Sequence, residues 1–257
     1  MLTDTPGDAP RLSVIIPCYN EETRLPRSLP VLKAYLDRQD YPYEVLVVDD
    51  GSADGTVRYV REAAREMPQL HLLEYGRNRG KGYAVSFGMR AARGEWVLFS
   101  DADLSTPIEE LEKFLPYLSR GYDVVIGSRA LPESNREIPQ PWWRERLGRL
   151  MNVLIRKASG LKFVDTQCGF KLFTRQAARD IFLNVTVETW MFDVEVLVIA
   201  QKLGYRVVDV PVRWLNSDET RVKLSHTLRV FQELLHIRLH WLGRQPRRET
   251  GAASVVR

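Results

Sequence analysis

A single α/β domain, built on a mainly parallel, Rossmann-like sheet with helices on both faces, is the fold class this sequence predicts. Three observations predict it. Short β-branched runs recur through the first half of the chain, segments with helical spacing lie between them, and a polar cluster follows the C-terminal end of most runs. The length of 257 residues suits one large domain with a full core.

The runs are "LSVIIP" from Leu12, "YEVLVVD" from Tyr43, "LHLLEY" from Leu70, "WVLFS" from Trp96 and "YDVVIG" from Tyr122. They are nearly continuous in apolar character, as strands covered on both faces must be. Val57, Val60 and Ala64 mark a helix before the third run, beginning near Gly55; Ile108, Leu111, Leu115 and Leu118 mark another before the fifth. Residues 1–10 read as a disordered lead-in, 11–220 as the α/β domain, and 221–257 as a C-terminal amphipathic helix with a basic tail.

Composition narrows the function. No run approaches the ~18 apolar residues of a spanning helix, and the start lacks the apolar core of a secretory signal. Cys18 and Cys168 are far apart and outside any C-x-x-C pair, which argues against a disulfide framework or a zinc site and fits a reducing, cytoplasmic setting. The net charge of +4 is uneven: residues 141–162 set six cations against Glu145, a net +5, and residues 221–248 set seven against Glu233, a net +6. The rest therefore carries −7. Such polarity suits a partner bearing phosphate, while nothing resembles a nucleic-acid module.

The polar clusters are "PCYNEE" after the first run, "DDGSADGT" after the second, "DADLSTP" after the fourth and "GSR" after the fifth. In open α/β sheets ligands bind beyond the carboxyl ends of strands, so four clusters on one edge mark a site. Asp49, Asp50 and Asp54 could in part only close turns and cap a helix. Three familiar motifs fail: "GRNRGKGYAV" is one residue short of a P-loop, a dinucleotide fingerprint from Gly80 meets Val85 at its third glycine, and an EF-hand at Asp101 lacks its turn glycine. What remains is the D-x-D pair. Two carboxylates one residue apart repel unless a cation lies between them, and alternate residues at a strand end point one way, so Asp101 and Asp103 can hold Mg²⁺ or Mn²⁺ against a diphosphate.

"SVIIPCYNEE", "VLVVDDGSADGT", "NRGKGYAV", "DADLSTP", "GSRA" and "DTQCGFKLF", in that order, resemble the family 2 glycosyltransferases of GT-A fold. "VDTQCGFKLFTRQAA" and "VETWMFDVEVLVIAQKLG" are similar to the dolichyl-phosphate β-glucosyltransferases within that family, and the resemblance runs from about Leu12 to about Leu242. It implies inverting transfer of glucose from UDP-glucose to a dolichyl or polyprenyl phosphate. It further implies that Pro17, Tyr19, Glu21, Asp49, Asp50, Lys81, Asp101 and Ala102 bind the nucleotide sugar, that Asp101 and Asp103 hold Mg²⁺ or Mn²⁺, and that Arg129 meets a phosphate. Asp165 and Asp193 are the positions it nominates beside the reaction, with loop closure and helix capping as their plainer alternatives. A phosphate monoester, with a second pKa near ~6, already carries a nucleophilic oxyanion at neutral pH, so no strong base is required. Cys168 reads as a packed small residue.

A lipid phosphate requires a membrane surface. "PWWRERLGRLMNVLIRKASG" aligns Trp143, Leu147, Leu150, Met151 and Leu154 on one helical face beside arginines, as an interfacial helix would. The terminal segment repeats this with Leu224, Leu228, Phe231, Leu235 and Leu242, for which packing against the domain is an equal alternative. Peripheral attachment at the cytoplasmic face of a membrane is the expectation. The nearest alternatives are a mannosyl or other hexosyl donor and a soluble acceptor.

Overall fold

The computed structural model describes residues 9–134, 152, 153, 155–215 and 227–249. Seven strands form one mixed sheet in the order β3-β2-β1-β4-β6-β5-β7. The strands are β1 (Leu12–Cys18), β2 (Tyr43–Asp49), β3 (Leu70–Glu74), β4 (Trp96–Ser100), β5 (Val124–Ser128), β6 (Phe170–Thr174) and β7 (Val207–Pro211). The helices that frame the sheet include α1 (Leu25–Leu36), α2 (Thr56–Glu66), α3 (Lys81–Ala91), α4 (Leu111–Ser119) with a 3₁₀ turn before it, α5 (Arg175–Phe182), α6 (Phe192–Lys202) and α7 (Thr227–Trp241), and residues 155–159 are helical as well.

Alternation along the strands divides the core. Ile15, Val48, Phe99 and Ile126 face the layer of α3, α5, α6 and α7, whereas Val14, Val47, Leu98 and Val125 face the layer of α1, α2 and α4. Both layers are packed with apolar side chains, which is why the runs read as nearly unbroken apolar stretches. Gly88 of α3 lies so close to the sheet that a Cβ there would meet Ile15 and Val48 side-chain atoms at 2.5 and 2.8 Å.

Two features position the site. β2 and β4 flank β1 on opposite sides, so the strand order reverses there and a crevice opens beyond the carboxyl ends of β1 and β4. Secondly, β6 runs antiparallel to both β4 and β5. An antiparallel strand brings its start, not its end, to the carboxyl edge of its neighbours, which delivers the loop 165–169 to the crevice. The sheet is mainly parallel as expected, four of its six described pairings being parallel and the other two both made by β6.

α7 buries Leu234, Ile237 and Trp241 in the core and leaves Phe231, Leu235 and Leu239 exposed, with Leu242 exposed just beyond it. The face expected from the sequence is therefore turned outward where it is described, and a second apolar face does the packing. The segment after α7 is pinned: Asn184 exchanges hydrogen bonds with the Arg247 backbone, and Glu249 N–H donates to Asp180. Trp143, Leu147, Leu150, Met151 and Leu154, expected from the sequence to form an interfacial helix, and Leu224 lie outside the described residues, as does the side chain of Leu228. Among the described residues no helix is long and apolar enough to cross a membrane.

Candidate active site

The loops after β1 and β2 clasp each other. Asn20 N–H donates to Ser52 Oγ, Ala53 N–H to Asn20 Oδ1, Glu21 N–H to Thr56 Oγ1, and Glu22 N–H to Asp54 Oδ2. Asp54 also receives the N–H and hydroxyl of Thr56, closing the turn that enters α2; the capping residue itself is Gly55, which makes no side-chain bond. Pro17 is the second-last residue of β1, Tyr19 just beyond the strand is exposed, and Glu21 is buried. Asp49 accepts Gly51 and Ser52 N–H through Oδ2 at 3.0 Å each, while its buried Oδ1 has no partner among the described residues. Asp50 is otherwise engaged: it accepts the Tyr75 hydroxyl at 2.8 Å, Arg79 N–H at 2.6 Å and Gly80 N–H at 2.9 Å, fixing the chain that enters α3.

That entry explains "GKG". Gly80 has φ +106°, and a Cβ on Gly80 or Gly82 would sit 2.6 Å from the carbonyl oxygens of Glu188 or Val187. Close packing on the 187–189 segment, rather than a phosphate cradle, accounts for both glycines. Lys81, first in α3, reaches Asp101 with Nζ 2.6 Å from Oδ1, and lies 5.3 Å from the Phe99 ring centre and 5.7 Å from that of Trp190.

β4 ends at Ser100, so strand alternation does not place Asp101 and Asp103. A turn does. Leu104 N–H donates to the Asp101 carbonyl, Ser105 N–H to Asp103 Oδ1 at 2.9 Å, and Leu104 takes φ +47° with its side chain buried, a conformation that costs a non-glycine residue energy. Ala102 is buried between the carboxylates in sequence and anchors the turn in the core. Behind it lies Gly169, where a Cβ would stand 1.9 Å from Asp101 Oδ2. Gly169→Ala must displace that carboxylate, and misplacement of about 1 Å can cost ~10²-fold. We expect its turnover to fall by roughly 10- to 100-fold in a steady-state transfer assay, with the fold retained by circular dichroism.

Arg129, just after β5, forms a fork on Asp165: Nε to Oδ2 at 2.7 Å, Nη2 to Oδ1 at 2.9 Å, with its backbone N–H to Oδ2 at 3.0 Å. Burial alone would raise the Asp165 pKa, but the Arg129 charge and hydrogen bonds override it and bring the carboxyl down to about 2. A group that acidic is a poor proton acceptor at neutral pH. Asp193, in the first turn of α6, is buried and paired with the fully buried Lys171 of β6, whose ammonium also donates to the Cys168 carbonyl at 2.6 Å. Burial raises the Asp193 pKa despite Lys171 and Lys81. It makes no side-chain capping bond for α6, where Met191 is the capping residue. Burial likewise pushes the Cys168 thiol up to about 11, leaving it protonated and unsuited to attack.

The structure thus brings Lys81, Asp101, Arg129 and Asp165 to one edge, with Asp193 and Lys171 buried beneath. Gly169, Lys171 and the exposed Trp190 were not among the sequence-derived site residues, although all three stand in the motifs "DTQCGFKLF" and "VETWMFD". Among the described residues no three His, Cys, Asp or Glu side chains cluster as metal ligands. A two-carboxylate turn nonetheless fits a divalent ion that completes its shell with phosphate oxygens and water.

The chain matches the profile of "Glycosyl transferase family 2" over residues 13–182. It is 39% identical over 237 residues to a dolichyl-phosphate beta-glucosyltransferase of Trichomonas vaginalis, covering 88% of this chain and 70% of that protein. The Homo sapiens dolichyl-phosphate beta-glucosyltransferase is 36% identical over 246 residues, covering 90% and 76%. Among solved structures, the mannosyltransferase PcManGT of Pyrobaculum calidifontis, in complex with GDP-Man and Mn²⁺, superposes with a TM-score of 0.60 at 25% identity, covering 96% of this chain and 68% of that one. Fold, motif order and these likenesses agree: the chain belongs to glycosyl transferase family 2, has the GT-A fold, and is a glycosyltransferase similar over most of its length to dolichyl-phosphate β-glucosyltransferases.

Proposed function

We propose that the protein transfers glucose, with inversion, from UDP-glucose to a dolichyl or polyprenyl phosphate, using Mg²⁺ or Mn²⁺ held by Asp101 and Asp103. The observation that carries this reading is the turn Asp101–Leu104, set at the strand-order reversal and ringed by Lys81, Gly169 and the Arg129–Asp165 fork. Similarity to dolichyl-phosphate β-glucosyltransferases over most of the chain supports the donor and the acceptor.

The uridine is read as lying on the clasped loops beside Pro17, Tyr19, Glu21 and Asp49, where the buried, unpartnered Asp49 Oδ1 is an acceptor for a donor group of the nucleoside. Asp50 and Ala102 act one step back, holding the α3 entry and the carboxylate turn. When bound, the divalent ion would neutralise charge on the departing UDP. Arg129, kept in orientation by Asp165, offers a cation to a phosphate, and Lys171 with Asp193 steadies the loop behind Asp101. The acceptor phosphate is its own nucleophile, so neither Asp165 nor Asp193 needs to remove a proton.

The membrane face is read as the outward stripe Phe231, Leu235, Leu239 and Leu242, flanked by Arg238 and Arg244. Exposed apolar side chains with arginines alongside suit peripheral binding to an anionic surface, which we assign to the cytoplasmic face. Replacing Phe231, Leu235 and Leu239 by serine should reduce co-sedimentation with anionic liposomes several-fold and slow transfer to a long-chain acceptor, with UDP-glucose binding unchanged.

The test of the reaction is product analysis. Incubation with UDP-glucose, polyprenyl phosphate and either metal should yield a polyprenyl-phosphate glucose whose anomeric proton coupling in NMR is that of the β configuration. An α product, or mannosyl transfer from GDP-mannose at a comparable rate, would overturn it.

A further inference from the structure

The carboxylate expected to hold the metal already has a cation on it. Lys81 Nζ lies 2.6 Å from Asp101 Oδ1, and the other face of the carboxylate is closed by Gly169, where even a methyl would stand 1.9 Å from Oδ2. An ion that ligates Asp101 through Oδ1 must therefore displace the ammonium. The backbone of Lys81 cannot yield, because Asp50 holds the N–H groups of Arg79 and Gly80, and Tyr83 N–H donates to the Glu188 carbonyl at 3.0 Å. Its side chain can. It is partly exposed and has a four-carbon stem, and the exposed Trp190 ring, whose centre lies 5.7 Å from Nζ, offers a face to an ammonium that leaves Asp101.

We propose that Lys81 is the metal's placeholder: its ammonium neutralises Asp101 while the ion is absent and passes to the donor diphosphate when the ion binds. This rests on the reading of Asp101 as a metal ligand. Its consequence is that metal and donor bind as a pair. The ion alone must break the Lys81–Asp101 contact with no new partner for the ammonium, whereas a bound diphosphate supplies that partner. A lysine that stayed in place would act on metal and nucleotide independently, so their mutual enhancement would not depend on it.

The experiment titrates Mn²⁺ into wild type and Lys81→Met by electron paramagnetic resonance, with and without UDP. In the variant, Mn²⁺ without nucleotide should bind about three- to tenfold more tightly, the range expected for losing one partly exposed ion pair, and the tightening of Mn²⁺ by UDP should shrink by a similar factor. Unchanged nucleotide-free affinity, or an unchanged UDP effect, overturns the exchange. Lys81→Gln, read the same way, decides the matter if the methionine variant does not fold. Failure of wild type to bind Mn²⁺ even with UDP would instead remove the metal site itself, and the exchange with it.

Discussion

Asp101→Asn should lower glucosyl transfer by about 10³-fold while shifting the melting temperature by no more than about 2 °C. The asymmetry follows from position. Asp101 is partly exposed, and its contact with Lys81 is an ion pair of the kind that contributes ~1 kcal/mol or less to stability. Its value to the reaction is larger, since charge developing on the departing diphosphate needs a compensating cation in the transition state. Asparagine keeps the shape of the turn and removes the charge. Steady-state rates with saturating UDP-glucose, read beside thermal melts, check both halves of the expectation; a variant with wild-type turnover would remove Asp101 from the metal site.

Asp165→Asn should destabilise the protein as well as slow it. The Asp165 carboxyl is lowered from its ordinary 3.8 to about 2 in the folded state, so its ionised form contributes about 2 kcal/mol at neutral pH. A depressed carboxyl contributes fully above its unfolded value, near 4, and loses that contribution as pH falls toward 2. The variant should therefore melt roughly 4 to 8 °C lower than wild type at pH 5 to 8, with the gap closing between about pH 4 and pH 2. Activity should drop about 10- to 100-fold at neutral pH because Arg129 loses its fork, and the remaining pH profile should keep the wild-type shape. A lost acid limb in the variant would mean that Asp165 titrates during catalysis.

How much of this was legible beforehand depends on whether the cause is local. β1 to β5 were readable because each is a run of β-branched and other apolar residues, and sheet burial on both faces demands such a run. β6 was not, because Lys171 interrupts its apolar pattern, and that lysine is tolerated only by pairing with Asp193, 22 residues later. β7 is a short edge strand whose inner face is only partly buried. The carboxylates of "DADLSTP" were readable as a pair, but their arrangement was misattributed to a strand when a turn with a left-handed Leu104 sets it. Arg129 and Asp165 were each named, yet their fork spans 36 residues and no spacing rule reveals it. In α7 two apolar faces compete. The sequence showed the Phe231 and Leu235 stripe, and only packing showed that Leu234, Ile237 and Trp241 turn inward.

The strand-end carboxylates and clasped loops should bind UDP-glucose together with a divalent ion. Calorimetric titration of UDP-glucose, and of GDP-mannose in parallel, with Mn²⁺ present and then with excess chelator, tests it most directly. UDP-glucose should bind saturably and weaken at least about tenfold in chelator, and GDP-mannose should bind more weakly than UDP-glucose by a similar factor. Equal affinity for the two donors, or UDP-glucose binding indifferent to chelator, would contradict it.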